Sequence, residues 1–261
     1  MFESLPAEWR ILSALCGLAL FFCWESAAPY FEQPRRSLHV RRNLTVAGVN
    51  LVLVGACCAG FTIAVAELAR AYGLGLLNQL SLPPAATLVA AFVALDLWTY
   101  WWHRANHMIP ALWRFHRVHH SDPSVDVTTA VRFHTGELLI SAGLRLLLIP
   151  LFGLPLEALV LYDGIVLAAA QFHHSNVGLT DAADSGLRRI IVSPNMHKLH
   201  HSRIQSETDS NYSTVFSGWD RLFRTYRERD DYRAIEFGIS GLEDDRSQTL
   251  AGLAMTPFRR V

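Results

Sequence analysis

The sequence LTVAGVNLVLVGACCAGFTIAVA, residues 44–66, contains no charged residue over 23 positions. A transmembrane helix needs about 20 consecutive apolar residues to cross a hydrocarbon core about 30 Å thick. This stretch therefore predicts one membrane-spanning helix. Residues 82–102 predict another, because the run opens with two prolines and is interrupted only by Asp96. A shorter uncharged run at residues 11–24 suits a short or tilted span.

Two further apolar runs, residues 138–154 and 158–172, each carry one charge, Arg145 and Asp163, and are separated by Pro155. They predict a hairpin of two short helices that is re-entrant or spans the bilayer; a buried helix pair of a soluble protein is the alternative. Hydrophobic residues make up 51% of the chain and charged residues only 18%. Since soluble proteins carry about 25% charge, we expect an all-α integral membrane bundle with a histidine-rich cytoplasmic cap.

Basic residues in short loops predict the orientation, because such loops stay in the cytoplasm. The loop between the first two runs holds the cluster Arg35, Arg36, Arg41 and Arg42. The loop after the second run carries only Arg70 as a basic residue. Three spans and a hairpin then bring every histidine cluster to the cytoplasmic side. His39 lies among the arginines and is expected to be solvated.

Composition excludes several classes of protein. The net charge is zero, whereas a nucleic-acid-binding surface is basic. The four cysteines lie within apolar runs and form no CxxC pair, so neither a zinc ribbon nor a disulfide framework is expected. Lys198 is the only lysine among 23 basic residues, a usage typical of a GC-rich bacterial genome. The expected location is therefore a bacterial inner membrane.

Histidines are clustered at spacings that suit metal binding. The sequence has HxxxH at His103 and His107, HxxHH at His116, His119 and His120, a second HxxHH at His197, His200 and His201, and the pair His173-His174. Residues at i, i+3 and i+4 share one helix face, and imidazole is the commonest metal ligand near neutral pH. Eight or nine histidines exceed one zinc tetrahedron. The spacing predicts a dinuclear site and leaves the metal open.

These clusters resemble the histidine boxes of the fatty acid hydroxylase/sterol desaturase superfamily. The boxes are HRANH at 103–107, HRVHH at 116–120 and HKLHH at 197–201. The stretches between and after them are more specific: LWRF at 112–115, RFH at 132–134 with Glu137, HSN at 174–176, DSNY at 209–212 and WDRLFRTY at 219–226. Thr135, Ser213 and Arg224 depart from the family pattern, and none is a candidate ligand. The resemblance runs from about residue 90 to 227.

The resemblance implies a non-haem centre of two iron ions that activates O2 and hydroxylates or desaturates a fatty acyl, sterol or related lipid. The implied ligands and catalytic residues are His103, His107, His116, His119, His120, His197, His200 and His201. His174 is the implied ninth ligand, with His173 as the alternative. Zinc can replace iron in such sites during purification. The sequence has no flavin, nicotinamide, haem or iron–sulfur motif, so an external electron-transfer protein is the expected partner, beside the lipid and the membrane.

Several polar residues near the boxes leave two interpretations open. Asp96 could accept a proton from His103 or His107, or could link two spans; Asp163 invites the same alternatives. Glu137 could orient a histidine or pair with Arg132. His134 is expected to be structural or to support a ligand from outside the boxes.

The aromatic residues of the run at 82–102 also have two interpretations. They are Trp98, Tyr100, Trp101 and Trp102. They either form an aromatic belt at the membrane interface or line a substrate slot.

The expected organisation has three parts: membrane spans with the arginine-rich loop at 1–82, a catalytic domain at 83–227 and a polar cytoplasmic tail at 228–261. Two rival functions are a membrane metal-dependent hydrolase and a non-catalytic metal-binding membrane protein. A hydrolase would be expected to carry a carboxylate within a box, as HExxH does. The box interiors here hold arginine, alanine, asparagine, valine, lysine and leucine instead.

Overall fold

A computed structural model describes residues 7–260, and this part of the chain is helical, with isolated β-bridges as its only extended pairing. Its α-helices are α1 Ala7–Ala27, α2 Arg36–Ala71, α3 Leu76–Gln79, α4 Pro84–Met108, α5 Pro110–His120, α6 Thr135–Phe152, α7 Leu156–His174, α8 Asp181–Leu187, α9 Pro194–His200, α10 Gln205–Thr208, α11 Gly218–Leu222 and α12 Leu250–Met255. Short 3-10 helices occur at Val127–Val131, Tyr232–Ala234 and Thr256–Phe258. The predicted all-α class is confirmed.

Four helices are long and apolar enough to cross a membrane. They are α2, counted together with α3 as Arg36–Gln79, and α4, α6 and α7. Both helices of the predicted hairpin therefore have the length and composition of spans. The predicted span at residues 11–24 is helical and lies in α1, but its described apolar part, Ala14–Ala27, is shorter than the other four.

The predicted arginine-rich loop is largely helical, so that part of the prediction is wrong. Helix α2 already begins at Arg36 and includes Arg41 and Arg42. Its 36 residues correspond to about 54 Å at 1.5 Å per residue, far more than the hydrocarbon thickness. The uncharged run defines only the membrane part of the helix. The first turns, with their arginines, extend beyond it to the histidine-bearing end of the bundle, which we call the cap.

A glycine contact closes the end of the bundle that lies opposite the cap. Gly153 ends α6 with φ 70°, and Gly75 begins α3 with φ 94°. A Cβ atom on Gly75 would lie 2.0 Å from the backbone nitrogen of Gly153, so no side chain fits at this position. The positive φ of Gly75 is a second reason for glycine, because other residues rarely adopt it. Above this contact, Ala91, Leu95 and Ile149 are among the buried residues of the core shared by the spanning helices.

The C-terminal segment packs against the cap. Tyr232, Ile235 and Phe237 share a buried cluster with Val125 and Leu199. A second buried cluster joins Leu253 of α12 to Val46 of α2 and Val118 of α5. Residues 228–260 are polar on average, but they contain apolar residues that pack against the histidine-bearing helices. The three-part organisation remains a prediction, and its residues 1–6 and 261 lie outside the described range.

Candidate metal centre

Four helix ends bring the histidines together. His103 and His107 lie in the last two turns of α4, and Pro110 then begins α5. His116, His119 and His120 occupy the last turns of α5. Pro194 begins the short helix α9, which carries His197 and His200 and is followed by His201. The pair His173-His174 ends α7.

Nine imidazoles form two groups in which one ligand atom from each residue lies within 4.8 Å of the others. The first group is His103, His107, His116, His120 and His200, and the second is His119, His174, His197 and His201. Every box contributes, and α5 and the α9 segment contribute to both groups. The geometry therefore offers two adjacent groups, each of which could hold a metal ion.

The outer ring nitrogens of six of the nine histidines are held by hydrogen bonds. The acceptors of Nδ1 are the Tyr212 carbonyl for His103 at 2.8 Å, Asp209 for His107 at 3.3 Å, Glu137 for His116 at 2.8 Å, the Arg132 carbonyl for His119 at 3.2 Å, the Ala170 carbonyl for His174 at 2.7 Å and the Ser210 carbonyl for His200 at 2.6 Å. A bond of this kind fixes the tautomer and leaves the lone pair of Nε2 free for a metal.

The inner nitrogens are crowded in a way that a metal ion would explain. Nε2 of His174 lies 3.1 Å from Nε2 of His119, 2.9 Å from that of His197 and 3.2 Å from that of His201. In the other group, Nε2 of His200 lies 3.0 Å from that of His103. Ligands at right angles around an ion with metal–nitrogen bonds of about 2.1 Å are about 3 Å apart.

Some of the buried imidazole nitrogens also lack other partners. Nε2 of His107, Nε2 of His116 and both nitrogens of His120 find no hydrogen-bond partner in residues 7–260. An unsatisfied buried polar atom costs about 1–3 kcal/mol, so a cluster of them is unfavourable without a ligand. The two groups contain histidine alone, without cysteine or carboxylate. The residues present therefore fit metal ions bound through nitrogen.

Burial keeps the cap histidines ready to bind metal. Desolvation lowers the pKa of His200 to about 3, and it lowers the pKa of His119, His120, His197 and His201 well below the usual value. Protonated neighbours would repel one another and lower the pKa of these rings further. The imidazoles are therefore neutral at pH 7, the state in which they bind a metal.

His173 lies beside the second group without belonging to it. Its ring centroid is 3.9 Å from that of His197, and its Nδ1 has no hydrogen-bond partner within the described chain. His174, in contrast, contacts three other histidines of its group through Nε2. The preference for His174 over His173 as the ninth ligand therefore agrees with the geometry, while the ligand assignment itself remains a prediction.

The expectation that His39 is solvated is wrong. Its Nε2 lies 2.8 Å from Asp122 and its Nδ1 lies 3.1 Å from Asp126, and only 10% of the side chain is exposed. Burial would raise the pKa of the Asp122 carboxyl, but the charges of His39 and Arg132 hold it well below its usual range. His39 is misread from sequence because neighbouring arginines indicate solvent, whereas its helix face meets the turn after the second box.

Two of the acidic residues near the boxes, Asp96 and Asp163, link helices to one another. Asp96 accepts hydrogen bonds from Trp219 Nε1 at 2.8 Å, the backbone of Phe216 at 3.1 Å and Tyr162 at 3.2 Å. It is therefore a buried link between α4, α7 and the cap. Arg145 pairs with Asp163 at 2.7 Å, which joins α6 to α7.

Glu137 orients His116, one of its two expected alternatives, and Arg132 finds other partners. The buried Arg132 guanidinium donates to Asn43, Ser121 and Gln248 and to the Val118 carbonyl. His134 accepts a bond from the backbone of Gly136 and begins α6, which agrees with a structural role. The carbonyls that hold His103 and His200 were not recognised from sequence, because backbone acceptors leave no signature in residue type.

A cleft of about 280 Å³ opens beside the first histidine group. His120 and Trp113 line it, together with polar residues that include Arg117, Gln205 and Thr208. The Trp113 ring centroid lies 5.0 Å from that of His107. The histidine cluster therefore has a polar approach from the cap in addition to the apolar helices that carry it.

Comparisons with known proteins identify a family and several relatives. The family model for fatty acid hydroxylases matches residues 88–225. An ornithine lipid hydroxylase of Rhizobium tropici is 30% identical over 159 residues, which cover 61% of this chain and 47% of that protein. Alkylglycerol monooxygenases are 31% identical over 146 residues in Danio rerio, with 54% and 30% of the two chains covered, and 27% identical over 159 residues in Homo sapiens, with 59% and 33% covered. The matches therefore span less than half the length of these relatives. No solved structure is significantly similar to the chain.

Proposed function

The chain belongs to the fatty acid hydroxylase family, and from this premise we propose that it is a membrane-bound, O2-dependent lipid oxidoreductase that hydroxylates a C–H bond at a histidine-ligated di-iron centre. The observation that carries the proposal is the pair of histidine groups, with six of the nine rings oriented by hydrogen bonds to their outer nitrogens. We propose residues 83–227 as the catalytic domain, which nearly coincides with the family match.

Two metal ions would be held by the two groups, one by the five-histidine set and one by the four-histidine set. Iron bound there would supply the redox chemistry that uses O2 to oxidise an unactivated C–H bond. Zinc is the expected substitute in protein that has not been loaded with iron, because imidazole binds both metals. Hydroxylation consumes one O2, two electrons and two protons, and yields the alcohol and one water. We propose that an external electron-transfer protein delivers the electrons.

The protein residues supply position and surroundings. Glu137 and Asp209 accept hydrogen bonds from the outer nitrogens of His116 and His107 and hold these rings facing inward. The Tyr212 and Ser210 carbonyls do the same for His103 and His200. Eight of the nine histidines are buried, which limits the access of bulk water and protects a reactive oxidant from side reactions.

The substrate is proposed to be a polar membrane lipid. Helices α4 and α7 lead from the bilayer to the histidines, so an acyl or alkyl chain lying along them would end near the metal centre. The relatives are named for ornithine lipid and alkylglycerol, which favours a lipid with a polar head over a sterol or carotenoid. We propose further that the centre lies on the cytoplasmic side of a bacterial inner membrane, as the arginines at the start of α2 indicate.

The proposal can be tested by lipid analysis. Cells that express the wild-type chain, and cells that express His200→Ala at the same level, are compared for membrane lipids under air and under nitrogen. The expected result is a lipid heavier by one oxygen atom that appears only with the wild-type chain in air. The same lipid in the His200→Ala cells would contradict the proposal, and so would lipids unchanged by the wild-type chain in a host that contains the substrate and an electron donor.

A metal-dependent hydrolase gains no support from the site. Glu137 already accepts a hydrogen bond from the outer ring nitrogen of His116. Asp209 is likewise bonded to His107. These carboxylates therefore act on the outer side of the ligands rather than at the metal side, where a water-activating base would be needed.

A further inference from the structure

Two short segments of the cap meet at one surface that the proposed reaction does not use. They are residues 188–190, which follow α8, and helix α11. The backbone nitrogen of Ser217 donates to the Ile190 carbonyl at 3.1 Å, and the Arg221 guanidinium donates to the Arg188 carbonyl at 2.7 Å. These bonds hold the two segments side by side. We call the exposed residues Arg189, Ile190, Arg221 and Leu222, together with Arg224 just after α11, the 190/222 patch.

The 190/222 patch combines exposed apolar side chains with arginines. Ile190 is 68% exposed and Leu222 is 65% exposed, and the three arginines are exposed as well. Single exposed apolar residues are ordinary. Large aliphatic side chains flanked by arginines, however, are typical of surfaces that lie in the headgroup region of a membrane.

The segment that carries the patch is attached to α4 between Asp96 and Trp101, in the two turns that precede His103. Trp219 of α11 donates to Asp96, and the Phe223 ring lies 5.1 Å from that of Tyr100 and 4.8 Å from that of Trp101. At 1.5 Å per residue, Asp96 lies about 18 Å and Trp101 about 25 Å along the helix from Pro84. The hydrocarbon core is about 30 Å thick. If α4 enters the hydrocarbon core near Pro84, these contacts place the patch beside the half of the core that is farther from Pro84, rather than outside the core.

Acidic residues near the patch leave its basic charge largely uncompensated. Asp184 and Asp220 are buried, the first against Arg188 at 3.4 Å and the second against backbone nitrogens at Tyr212 and Ser213. Glu228 lies 3.7 Å from Arg188, which is not part of the patch. The guanidinium of Arg221 is bonded to the Ser217 and Arg188 carbonyls, whereas the exposed side chains of Arg189 and Arg224 are available to anionic groups. Long basic side chains at the edge of the core extend their charged ends towards the lipid phosphates.

We propose that the 190/222 patch inserts into the cytoplasmic interface of the bilayer, with Ile190 and Leu222 in contact with acyl chains and Arg189 and Arg224 in contact with the phosphates of anionic lipids. Two observations favour a membrane over a protein partner: Trp219 and Phe223, which flank the patch residues in sequence, pack on a spanning helix, and the charge of the patch complements anionic headgroups. The cap is then partly submerged, and the histidines lie close to the level at which lipid chains begin.

Depth measurement in a bilayer tests this directly. Each of the cysteines Cys16, Cys23, Cys57 and Cys58 is replaced by alanine, and a spin label is attached to Ile190→Cys or Leu222→Cys in the full chain reconstituted into phosphatidylcholine–phosphatidylglycerol vesicles. Leu51→Cys on the exposed face of α2 is the membrane reference, and Ile204→Cys, 52% exposed at the start of α10, is the aqueous reference. Variants that are not monodisperse are replaced by labels at Arg189 or Arg224.

We expect the labels at 190 and 222 to collide with dissolved oxygen more often than with a water-soluble nickel chelate, as the label at 51 does. We also expect them to be several-fold less accessible to the chelate than the label at 204. Labels at 190 and 222 that match the one at 204 would overturn it. This readout needs neither metal nor substrate, so its failure is distinguishable from failure of the hydroxylase proposal.

Lipid charge tests the role of the arginines. With the native arginines, the label at 222 should be less accessible to the nickel chelate in vesicles with phosphatidylglycerol than in phosphatidylcholine alone. The double variant Arg189→Gln/Arg224→Gly should lose this difference; glycine suits position 224, where φ is 59°. A difference that persists unchanged in the double variant would overturn the assignment of these arginines to anionic lipids.

Discussion

Replacing Glu137 by alanine should weaken one metal site and spare the other. The buried carboxylate accepts a hydrogen bond from Nδ1 of His116 at 2.8 Å, and His116 belongs only to the five-histidine group. Loss of such an outer partner typically costs about 10–100-fold in metal affinity or activity. At about 1.36 kcal/mol per tenfold change, this corresponds to about 1.4–2.7 kcal/mol of binding free energy.

Glu157→Ala is the matched control. Both glutamates lie in the first turn of an apolar helix, α6 or α7, so both substitutions remove the same favourable interaction with the helix dipole. Glu157, however, is exposed at the end of the bundle opposite the histidines. A difference between the two variants therefore reports the bond to His116 rather than helix stability.

The assay is competition with a chelator, followed by elemental analysis of the protein at equilibrium. In Glu137→Ala, one of two metal ions should be lost at a chelator concentration about 10–100-fold lower than in the wild type, while the other ion is retained. Equal metal retention in Glu137→Ala, Glu157→Ala and the wild type would refute the reasoning that hydrogen bonds to the outer nitrogens organise the centre.

Four further outcomes are expected. His174→Ala should lose or weaken one metal ion, whereas His173→Ala should keep both; the reverse result in metal analysis would move the ninth ligand to His173. His39→Ala should lower the unfolding temperature, because breaking a buried ion pair costs about 3–5 kcal/mol; an unchanged melting curve would contradict the burial of this pair. His134→Ala should retain both metal ions by elemental analysis, since its ring begins α6, and loss of metal would make it a ligand. Cysteine labelling should place residues 75 and 205 on opposite sides of the membrane, and labelling of both from one side would contradict the topology.

The membrane helices could be predicted because hydrophobic length is a property of the sequence alone. Residues 44–66 predict the membrane part of α2, but the uncharged run gives no sign that the helix already begins at Arg36. The arginines that end the apolar run are compatible with helix, and tertiary contacts decide their conformation. His39 and Asn43 both meet Asp122 after the second box.

The histidine boxes could be predicted because their spacing on a helix already places the rings on one face. Their division into two groups could not, because it depends on how α5 and α9 cross. His119 and His120 are neighbours in sequence and belong to different groups. Neighbouring residues on a helix point in directions about 100° apart, so one helix can serve two sites.

Contacts of the C-terminal segment were the least predictable part of the site. Gln248 donates to the Ser121 carbonyl and accepts from Arg132, whose own carbonyl holds His119. The sequence distance between Gln248 and Arg132 exceeds one hundred residues, and a polar segment gives no periodic signal. Long-range hydrogen bonds of this kind are a property of the folded chain.

The most direct test of the di-metal centre is the metal content of protein purified and loaded with ferrous iron in the absence of oxygen. The wild-type chain should bind two iron ions, and His200→Ala, which removes a ligand of the five-histidine group, should bind fewer while remaining in the membrane. One ion or none in the wild type, or two ions retained with full affinity in His200→Ala, would contradict the assignment of these histidines to a di-iron site.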